Sequence, residues 1–130
     1  MATIETAIRA MLVAHMGNAT VADARITHGY RLQNSVLPAV TFVVDSTTCV
    51  TVDCLLNQSS VTVTGVAVTT LAANNLGADI TAGFLAGTYD TIKIYAPVRN
   101  ATTLDAPEVG DGDEQTPATI TLTFDVYWSV

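Results

Sequence analysis

The stretch ATITLTFDVYW, which runs from Ala118 to Trp128, alternates apolar and polar residues over its whole length. One parity carries Ile120, Leu122, Phe124, Val126 and Trp128, and the other carries Thr119, Thr121, Thr123, Asp125 and Tyr127. This period of two is typical of a β-strand with one buried and one polar face. Because a shift of one residue would invert both faces, the register is strongly specified, and we expect this strand at the centre of an antiparallel sheet.

The composition indicates one domain with an unusually uncharged surface. The 130 residues suffice for a core that needs no disulfide or metal to support it. Charged residues make up 13% of the chain, about half the share usual in soluble domains, and hydrophobic residues make up 49%. This balance favours a subunit that buries much of its exterior against copies of itself or partners, with a Thr-rich monomer as the alternative.

Several function classes lack their usual signals in this sequence. The net charge is −7 and the five basic residues are scattered, so we expect no specific nucleic-acid binding. The apolar run 36–44 is far shorter than the ~18 residues of a membrane span, and the N-terminus lacks the pattern of a signal peptide. We therefore expect a protein that is made in a reducing cytoplasm and does not enter a membrane.

The two cysteines, Cys49 and Cys54, would point to opposite faces of a regular strand, with Cα atoms about 16 Å apart. A disulfide between them would need a sharp turn. Together with His15 and His28 they do not give the paired spacing of a zinc site. The sequence therefore predicts small buried cysteines, no metal and no cofactor.

Two helices are predicted. The first starts at an N-cap, Thr3, follows an apolar stripe that His15 continues, and ends at Gly17. The second starts near Thr69 or Thr70 and ends at Gly87, with a stripe of Ala73, Leu76, Ile80 and Phe84. His28 is expected on a loop surface.

Strands are predicted at 37–44, at 49–56 and 60–68 as a hairpin around 57–59, at 90–96, and at the closing stretch, with a short strand possible at 25–27. The apolar parity changes at Gly65, which suggests a bulge or bend there. The fold expected is α+β, one domain over residues 1–130, with a mostly antiparallel sheet of four to five strands and two helices packed against it.

Residues 97–117 show no apolar periodicity and are predicted to form a long acidic loop between the last two strands. The loop carries five acids: Asp105, Glu108, Asp111, Asp113 and Glu114. The run 111–114 lacks the ligand series and distal Glu of an EF-hand, so calcium is not favoured. A solvated loop remains one interpretation. In the other, the acids face the lumen of a ring or a partner ring as a negative collar.

The order of these elements resembles the tail-terminator (tail-completion) family of long-tailed bacteriophages and the related minor tail and neck proteins. The matching features are residues 4–12 of the first helix, Arg25-Ile26 before a loop, Leu37-Pro38-Ala39-Val40, the strand 61–68 leading into the helix 76–84, and the closing LTFDVYW. They cover nearly the whole chain. The sequence departs from the family in its longer acidic loop and in the hydrophobic character of residues 47–57.

The resemblance implies a structural virion protein that is not an enzyme and assembles as a homo-oligomeric ring, commonly a hexamer. Such a ring caps the tail tube protein and joins it to the head-side connector, and DNA passes through it. A head-completion or stopper ring, a tail-tube subunit, or a small monomeric binding module are the alternatives. No catalytic motif occurs in the sequence. The polar face Thr119, Thr121, Thr123, Asp125 and Tyr127 is either a solvent face or a subunit interface.

Overall fold

The computed structural model describes residues 3–16, 26–29, 39–53, 55–95, 97–105 and 118–130. Over these residues the chain forms two helices and seven strands. In chain order they are α1 (Ile4–Met16), β1 (Ile26–His28), β2 (Ala39–Cys49), β3 (Asn57–Ala67), α2 (Thr70–Gly83), β4 (Gly87–Tyr89), β5 (Ile92–Ile94), β6 (Val98–Asp105) and β7 (Ala118–Ser129).

The closing strand β7 lies at the centre of the sheet, as its alternation predicts. Along one edge it pairs antiparallel with β3 over its length, from Asn57 opposite Trp128 to Ala67 opposite Ala118. Along its other edge it pairs with β6 and, near its end, with β5, both antiparallel. The strand order is β1-β2-β3-β7-β5-β4, with β6 beside β7. The position predicted for this strand is therefore confirmed.

The α+β class and the two helices are confirmed, but the predicted sheet is too small and too uniform. The described residues contain seven strands instead of four to five, and β1 pairs parallel with β2, which makes the sheet mixed. The strands β1, β4 and β5 contain three residues each, too few to show a period of two. The predicted strand 90–96 is in fact a turn at Asp90 and Thr91 followed by β5.

α1 begins as expected. Thr3 Oγ1 accepts a hydrogen bond from the Thr6 amide, and Thr6 Oγ1 accepts one from the Thr3 amide, so two otherwise unpaired donors of the first turn are satisfied. Ile8 and Leu12 lie fully buried on the face toward the sheet. The predicted stop at Gly17 lies outside the described residues.

α2 is capped by Thr69, whose Oγ1 accepts a hydrogen bond from the Ala72 amide at 3.1 Å. The helix ends at Gly83, one turn before the predicted Gly87, because Phe84 leaves the helical path and its ring stacks on Phe124 of β7 at 3.9 Å between centroids. The buried stripe of α2 includes Leu76 and Ile80, as predicted. Both helices contribute to one core on a single face of the sheet.

The predicted hairpin of strands 49–56 and 60–68 is wrong, because the strand that pairs with β3 is β2, which was predicted as a separate strand at 37–44. β2 continues to Cys49 and β3 starts at Asn57, so the described residues 50–53, 55 and 56 lie in the turn, and 57–59 belong to β3. The predicted bulge at Gly65 is also wrong, since β3 passes through Gly65 without a shift in register and the shifts lie at Asp45 in β2 and at Asn100 in β6. Gly65 instead provides room for Leu76, because a Cβ there would come within 2.8 Å of Leu76 Cδ2.

The cysteine and histidine predictions also need correction. Cys49 is exposed and disulfide-bonded, whereas a buried cysteine was predicted. The sequence has one other cysteine, Cys54, which lies outside the described residues. His15 is exposed at the end of α1, with Nε2 2.8 Å from Tyr89 Oη, and so does not continue the core stripe. His28 lies in β1 rather than in a loop, and its ring rests against Phe42.

Candidate functional site

The face of the sheet opposite the helices carries the predicted interface residues of β7. Thr119, Thr121, Thr123, Asp125 and Tyr127 all lie on this face and are partly exposed. Their neighbours on β7, from Ile120 to Val126, point into the core beneath the helices. The alternation of the sequence therefore separates a packing face from a face that no described helix covers.

The register of the sheet extends this polar face over four further strands. Thr121 lies opposite Thr64 of β3, which lies opposite Thr41 of β2. Thr41 in turn pairs with Thr27 of β1, and Thr121 pairs on its other edge with Thr103 of β6. One row of five threonines thus crosses five strands, with neighbours about 4.8 Å apart.

A second row lies beside the first and is built from one alanine and three β-branched residues. It contains Val43, Thr62, Thr123 and Ala101, each opposite the next in the sheet register. Val43 is 39% exposed, so this row presents apolar as well as hydroxyl groups. We refer to the two rows together as the threonine face: Thr27, Thr41, Thr64, Thr121, Thr103, Val43, Thr62, Thr123 and Ala101.

The sequence contained a partial signal for this surface. Residues 60–64 read SVTVT, and Val61 and Val63 are buried while Thr62 and Thr64 are partly exposed, the same separation as in β7. The alternation shows that each strand has a polar side but not which polar residues become neighbours. Only the register, with its parallel β1–β2 pair and its bulge at Asp45, aligns the threonines into rows.

Charge on this face is sparse among the described residues. Asp125 lies in the next row, beside the second, opposite Ser60 and Val98. Asp45, at the bulge of β2, accepts a hydrogen bond from Thr62 Oγ1 through its Oδ2. A solvated sheet face usually carries many Lys and Glu side chains, whereas charged residues are depleted at the centre of protein interfaces. The threonine face has the second kind of composition.

The predicted acidic loop lies largely outside the described residues. Asp105 is the last residue of β6, and Glu108, Asp111, Asp113 and Glu114 fall within 106–117, which the structure does not describe. The first part of the segment was interpreted wrongly, since Val98 to Asp105 form a strand instead of a loop. That the five acids lie together therefore stays a prediction.

An apolar groove that the sequence did not predict lies at the end of the sheet where β3 begins and β7 ends. Its volume is about 760 Å³, and it is lined by Leu55, Leu56, Tyr95, Tyr127, Ser129 and Val130. The Tyr95 amide donates a hydrogen bond to the Tyr127 carbonyl at 2.9 Å, which fixes one wall. Lys93 Nζ lies 5.1 Å above the Tyr95 ring, so a positive charge stands at the rim.

Within the described ranges, no three His, Cys, Asp or Glu side chains are grouped so that they would hold a metal ion. Among the helices in the described part of the chain, none is long and apolar enough to span a membrane. What the two surfaces offer is hydroxyl groups on a sheet face and an apolar groove beside a lysine.

Comparison of the sequence with protein-family models and with curated proteins gives no match. A function for the chain is therefore inferred from its surfaces and from the resemblance in the order of its elements.

Proposed function

We propose that this chain is a structural virion protein that forms a ring at the tail terminus or neck of a long-tailed bacteriophage. In that position the ring caps the tail tube, joins it to the head-side connector and lets DNA pass through its centre. The ring is a hexamer if the chain follows the family that it resembles. The observation that carries the proposal is the row of five threonines across the sheet face that no described helix covers.

The threonine face suits contact with another protein surface for a physical reason. A threonine presents a hydroxyl that donates and accepts hydrogen bonds, and a methyl group that packs. Burying it against a partner avoids the large desolvation cost of a lysine or glutamate. Because Val43 and Ala101 stand in the second row, the same face also removes apolar surface from water when it is covered.

The composition and the fold support the proposal independently of this face. A chain with 13% charged residues has few charges to keep copies of itself apart. The helix at the start, the strand that passes into α2 and the closing aromatic strand occur in the order on which the resemblance rests. In a ring, each subunit contacts two neighbours through different patches, so a protein of this size must commit much of its surface to assembly.

A pair of substitutions tests the threonine face. Replacing Thr121 and Thr123 by lysine places two charges at the centre of the proposed contact, and we expect the assembled protein to shift toward monomers in sedimentation velocity. Ala78→Lys with Ala82→Lys is the matched control, since it adds the same charge on an exposed side of α2. If the mass of the T121K/T123K protein is unchanged, the threonine face is not the subunit contact.

The position of the ring requires a second experiment. Electron micrographs of the purified protein should show a ring of subunits around a hole. Incubation with isolated tail tubes and, separately, with isolated head-side connectors then distinguishes a tail terminator from a head-completion or stopper ring. A tail-tube subunit would instead polymerise into long tubes by itself.

The acidic segment has a proposed role in the same assembly. Five acids in each subunit, repeated around a ring, would form a negative collar that repels DNA phosphates or contacts a partner ring. Replacement of Asp105, Glu108, Asp111, Asp113 and Glu114 by their amides should impair genome ejection in the first case and particle assembly in the second. Normal assembly together with normal ejection would exclude both roles.

The apolar groove favours a second candidate from another class, a small monomeric binding module. Its volume of about 760 Å³ is within the range of small-molecule sites, and two tyrosines line it. A module of this kind would remain monomeric at every concentration and would bind its ligand with one copy of the chain. Sedimentation of the unmodified protein therefore separates the two candidates.

A further inference from the structure

The turn between β2 and β3 exposes more apolar surface than a solvated turn needs. We call the described residues 50–53, 55 and 56 the hairpin tip. The side chain of Val52 is completely exposed, and those of Leu55 and Val50 are 69% and 48% exposed. Scattered single apolar residues are common on surfaces, whereas several in one turn mark a contact site. The hairpin tip therefore has the composition of a surface that another molecule covers.

The hairpin tip is also held in one conformation. The Val50 amide donates to the Leu56 carbonyl at 2.8 Å and closes the turn. Asp53 Oδ1 accepts from Thr51 Oγ1 at 2.7 Å and from the Leu55 amide at 3.2 Å. At its base, Cys49 is disulfide-bonded. A surface ordered before binding loses less conformational entropy when it binds, so these contacts favour recognition.

The hairpin tip carries a negative charge, and the apolar groove has a positive charge at its rim. The tip has one acid among its described residues, Asp53, next to the exposed Val52. The groove has at its rim the one lysine of the sequence, Lys93, which pairs with Ser129 in the sheet and lies over Tyr95. The hydrogen bonds from Thr51 and Leu55 lower the pKa of Asp53, so its carboxylate is charged at neutral pH.

We propose that the hairpin tip of one copy of the chain docks in the apolar groove of a second copy, with Val52 between Tyr95 and Tyr127 and the Asp53 carboxylate beside Lys93. The tip does not fill the groove of its own chain, because its own Leu55 and Leu56 form part of that groove's lining while Val52 stays completely exposed. The groove thus accepts an apolar tip with an acidic neighbour, and the chain itself supplies one.

This inference rests on the self-association in the proposed function but assigns a contact of its own. Tyr127 belongs to the polar face of β7 and to the groove, so the two surfaces are continuous. If each tip docks in the next copy, the contact is heterologous, and it gives a ring where the rotation between copies closes and a filament where it does not. If two copies exchange tips, the contact is a two-fold dimer.

Reversal of the two charges tests the contact. Asp53→Asn keeps an acceptor oxygen for Thr51 and Leu55 and removes only the charge, and we expect association about twofold to fivefold weaker in sedimentation equilibrium, as for a partly exposed ion pair. Asp53→Lys and Lys93→Glu each place like charges together and should weaken association about tenfold or more. An equimolar mixture of these two proteins, or both changes in one chain, should restore it.

The apolar part of the contact has its own variants. Val52→Asp should weaken association more than tenfold, whereas Val52→Thr, of similar shape, should weaken it less. Circular dichroism should show unchanged folding, since Val52 is fully exposed, and Ala82→Lys should leave association intact. If the unmodified protein associates but these variants associate equally well, tip docking is overturned while the threonine-face proposal stands. A protein that stays monomeric at all concentrations overturns both.

Discussion

Gly77 of α2 lies directly against Ile120 of β7, so that a Cβ at position 77 would overlap with Ile120 Cδ1 and lie 3.2 Å from its Cγ1. Ile120 is almost fully buried on the helix side of the sheet. On the neighbouring strand, Gly65 has the same role toward Leu76 of α2. The two glycines let the helix approach the sheet closely, and Ile120 fills the space that they leave.

Gly77→Ala should therefore destabilise the protein although alanine favours helices by about 1 kcal/mol over glycine. The added methyl group overpacks a buried contact, which typically costs about 1–3 kcal/mol, so we expect a net loss of free energy of unfolding. Gly83→Ala is the control, because a Cβ there would make only ordinary contacts, at 3.7 Å or more. Urea denaturation of both variants measures the difference.

A second substitution identifies the cause. Ile120→Val removes the Cδ1 atom that meets the new methyl group, and by itself should cost about 0.5–1.5 kcal/mol. In the Gly77→Ala background the same change should cost less or be stabilising. If the two effects simply add, the helix does not approach the strand in this way.

The sequence predicted those parts of the fold in which one strand or helix carries its own periodic signal. β7 alternates over eleven residues, and its buried and polar sides were assigned correctly. β6 was missed because the described side chains from Val98 to Leu104 are exposed on both sides, so burial imposed no alternation on them. β6 pairs with β7 through its backbone, and its exposed side chains give no hydrophobic pattern from which the strand could be predicted.

The hairpin tip and the threonine face were not predicted from the sequence, for two different reasons. The tip has the β-branched and apolar composition of a strand, and its turn depends on side-chain hydrogen bonds such as that of Thr51 to Asp53. The polar side of β7 was predicted, but the row from Thr103 through Thr121 to Thr27 depends on register across four strand pairs. Sequence spacing does not contain that information.

The turn between β4 and β5 carries backbone strain. Asp90 and Thr91 have φ values of 48° and 67°, in the left-handed region that β-branched residues rarely adopt. Thr91→Gly should raise the free energy of unfolding by about 1 kcal/mol, because glycine meets no Cβ clash there. Thermal denaturation gives the shift.

Asp90→Gly is the matched comparison for this turn. It relieves the same kind of strain but removes the carboxylate that accepts a hydrogen bond from Thr6 Oγ1 at 2.6 Å and ties the turn to α1. Asp90→Gly should therefore raise the free energy of unfolding less than Thr91→Gly does, or lower it. A Thr91→Gly protein that is less stable than the unmodified one would show that Thr91 makes a stabilising contact that outweighs its strain.

The pair formed by His15 and Tyr89 should make stability depend on alkaline pH. Tyr89 Oη donates a hydrogen bond to the Leu85 carbonyl at 3.1 Å and lies 2.8 Å from His15 Nε2. Burial raises the pKa of Tyr89 above its ordinary value of 10.0. A group with a raised pKa in the folded state contributes stability that is present below the unfolded pKa and is lost as the pH rises through the folded pKa.

Tyr89→Phe should therefore be less stable than the unmodified protein near pH 8, by about 0.5–1.5 kcal/mol for the lost hydrogen bonds. Above pH 10 the difference in free energy of unfolding between the two proteins should become smaller. Only the unmodified protein then loses stability through the ionisation of Tyr89. Urea denaturation of both proteins at pH 8 and pH 10.5 measures the two differences, and the other tyrosines cancel. A difference that stays constant or widens contradicts the raised pKa.

The buried hydroxyl of Ser59 in β3 links the two neighbouring strands, β2 and β7. Its Oγ accepts a hydrogen bond from Trp128 Nε1 at 2.9 Å and lies 2.8 Å from Thr47 Oγ1. Ser59 is fully buried, so Ser59→Ala removes the acceptor of the indole N–H and should cost about 1–3 kcal/mol. Trp128 is the one tryptophan of the sequence, and its fluorescence should change in the folded state as well as on unfolding.

Thr47→Val is the control for this contact, because it keeps the bond between Ser59 and Trp128 and removes only the hydroxyl on the exposed side. It should cost less than Ser59→Ala and leave the folded-state emission of Trp128 unchanged. Equal losses from the two substitutions, or no change in emission in the Ser59→Ala protein, would mean that water replaces Ser59 at the indole. In that case the end of β7 is held by its pairing with Asn57 rather than by the buried hydroxyl.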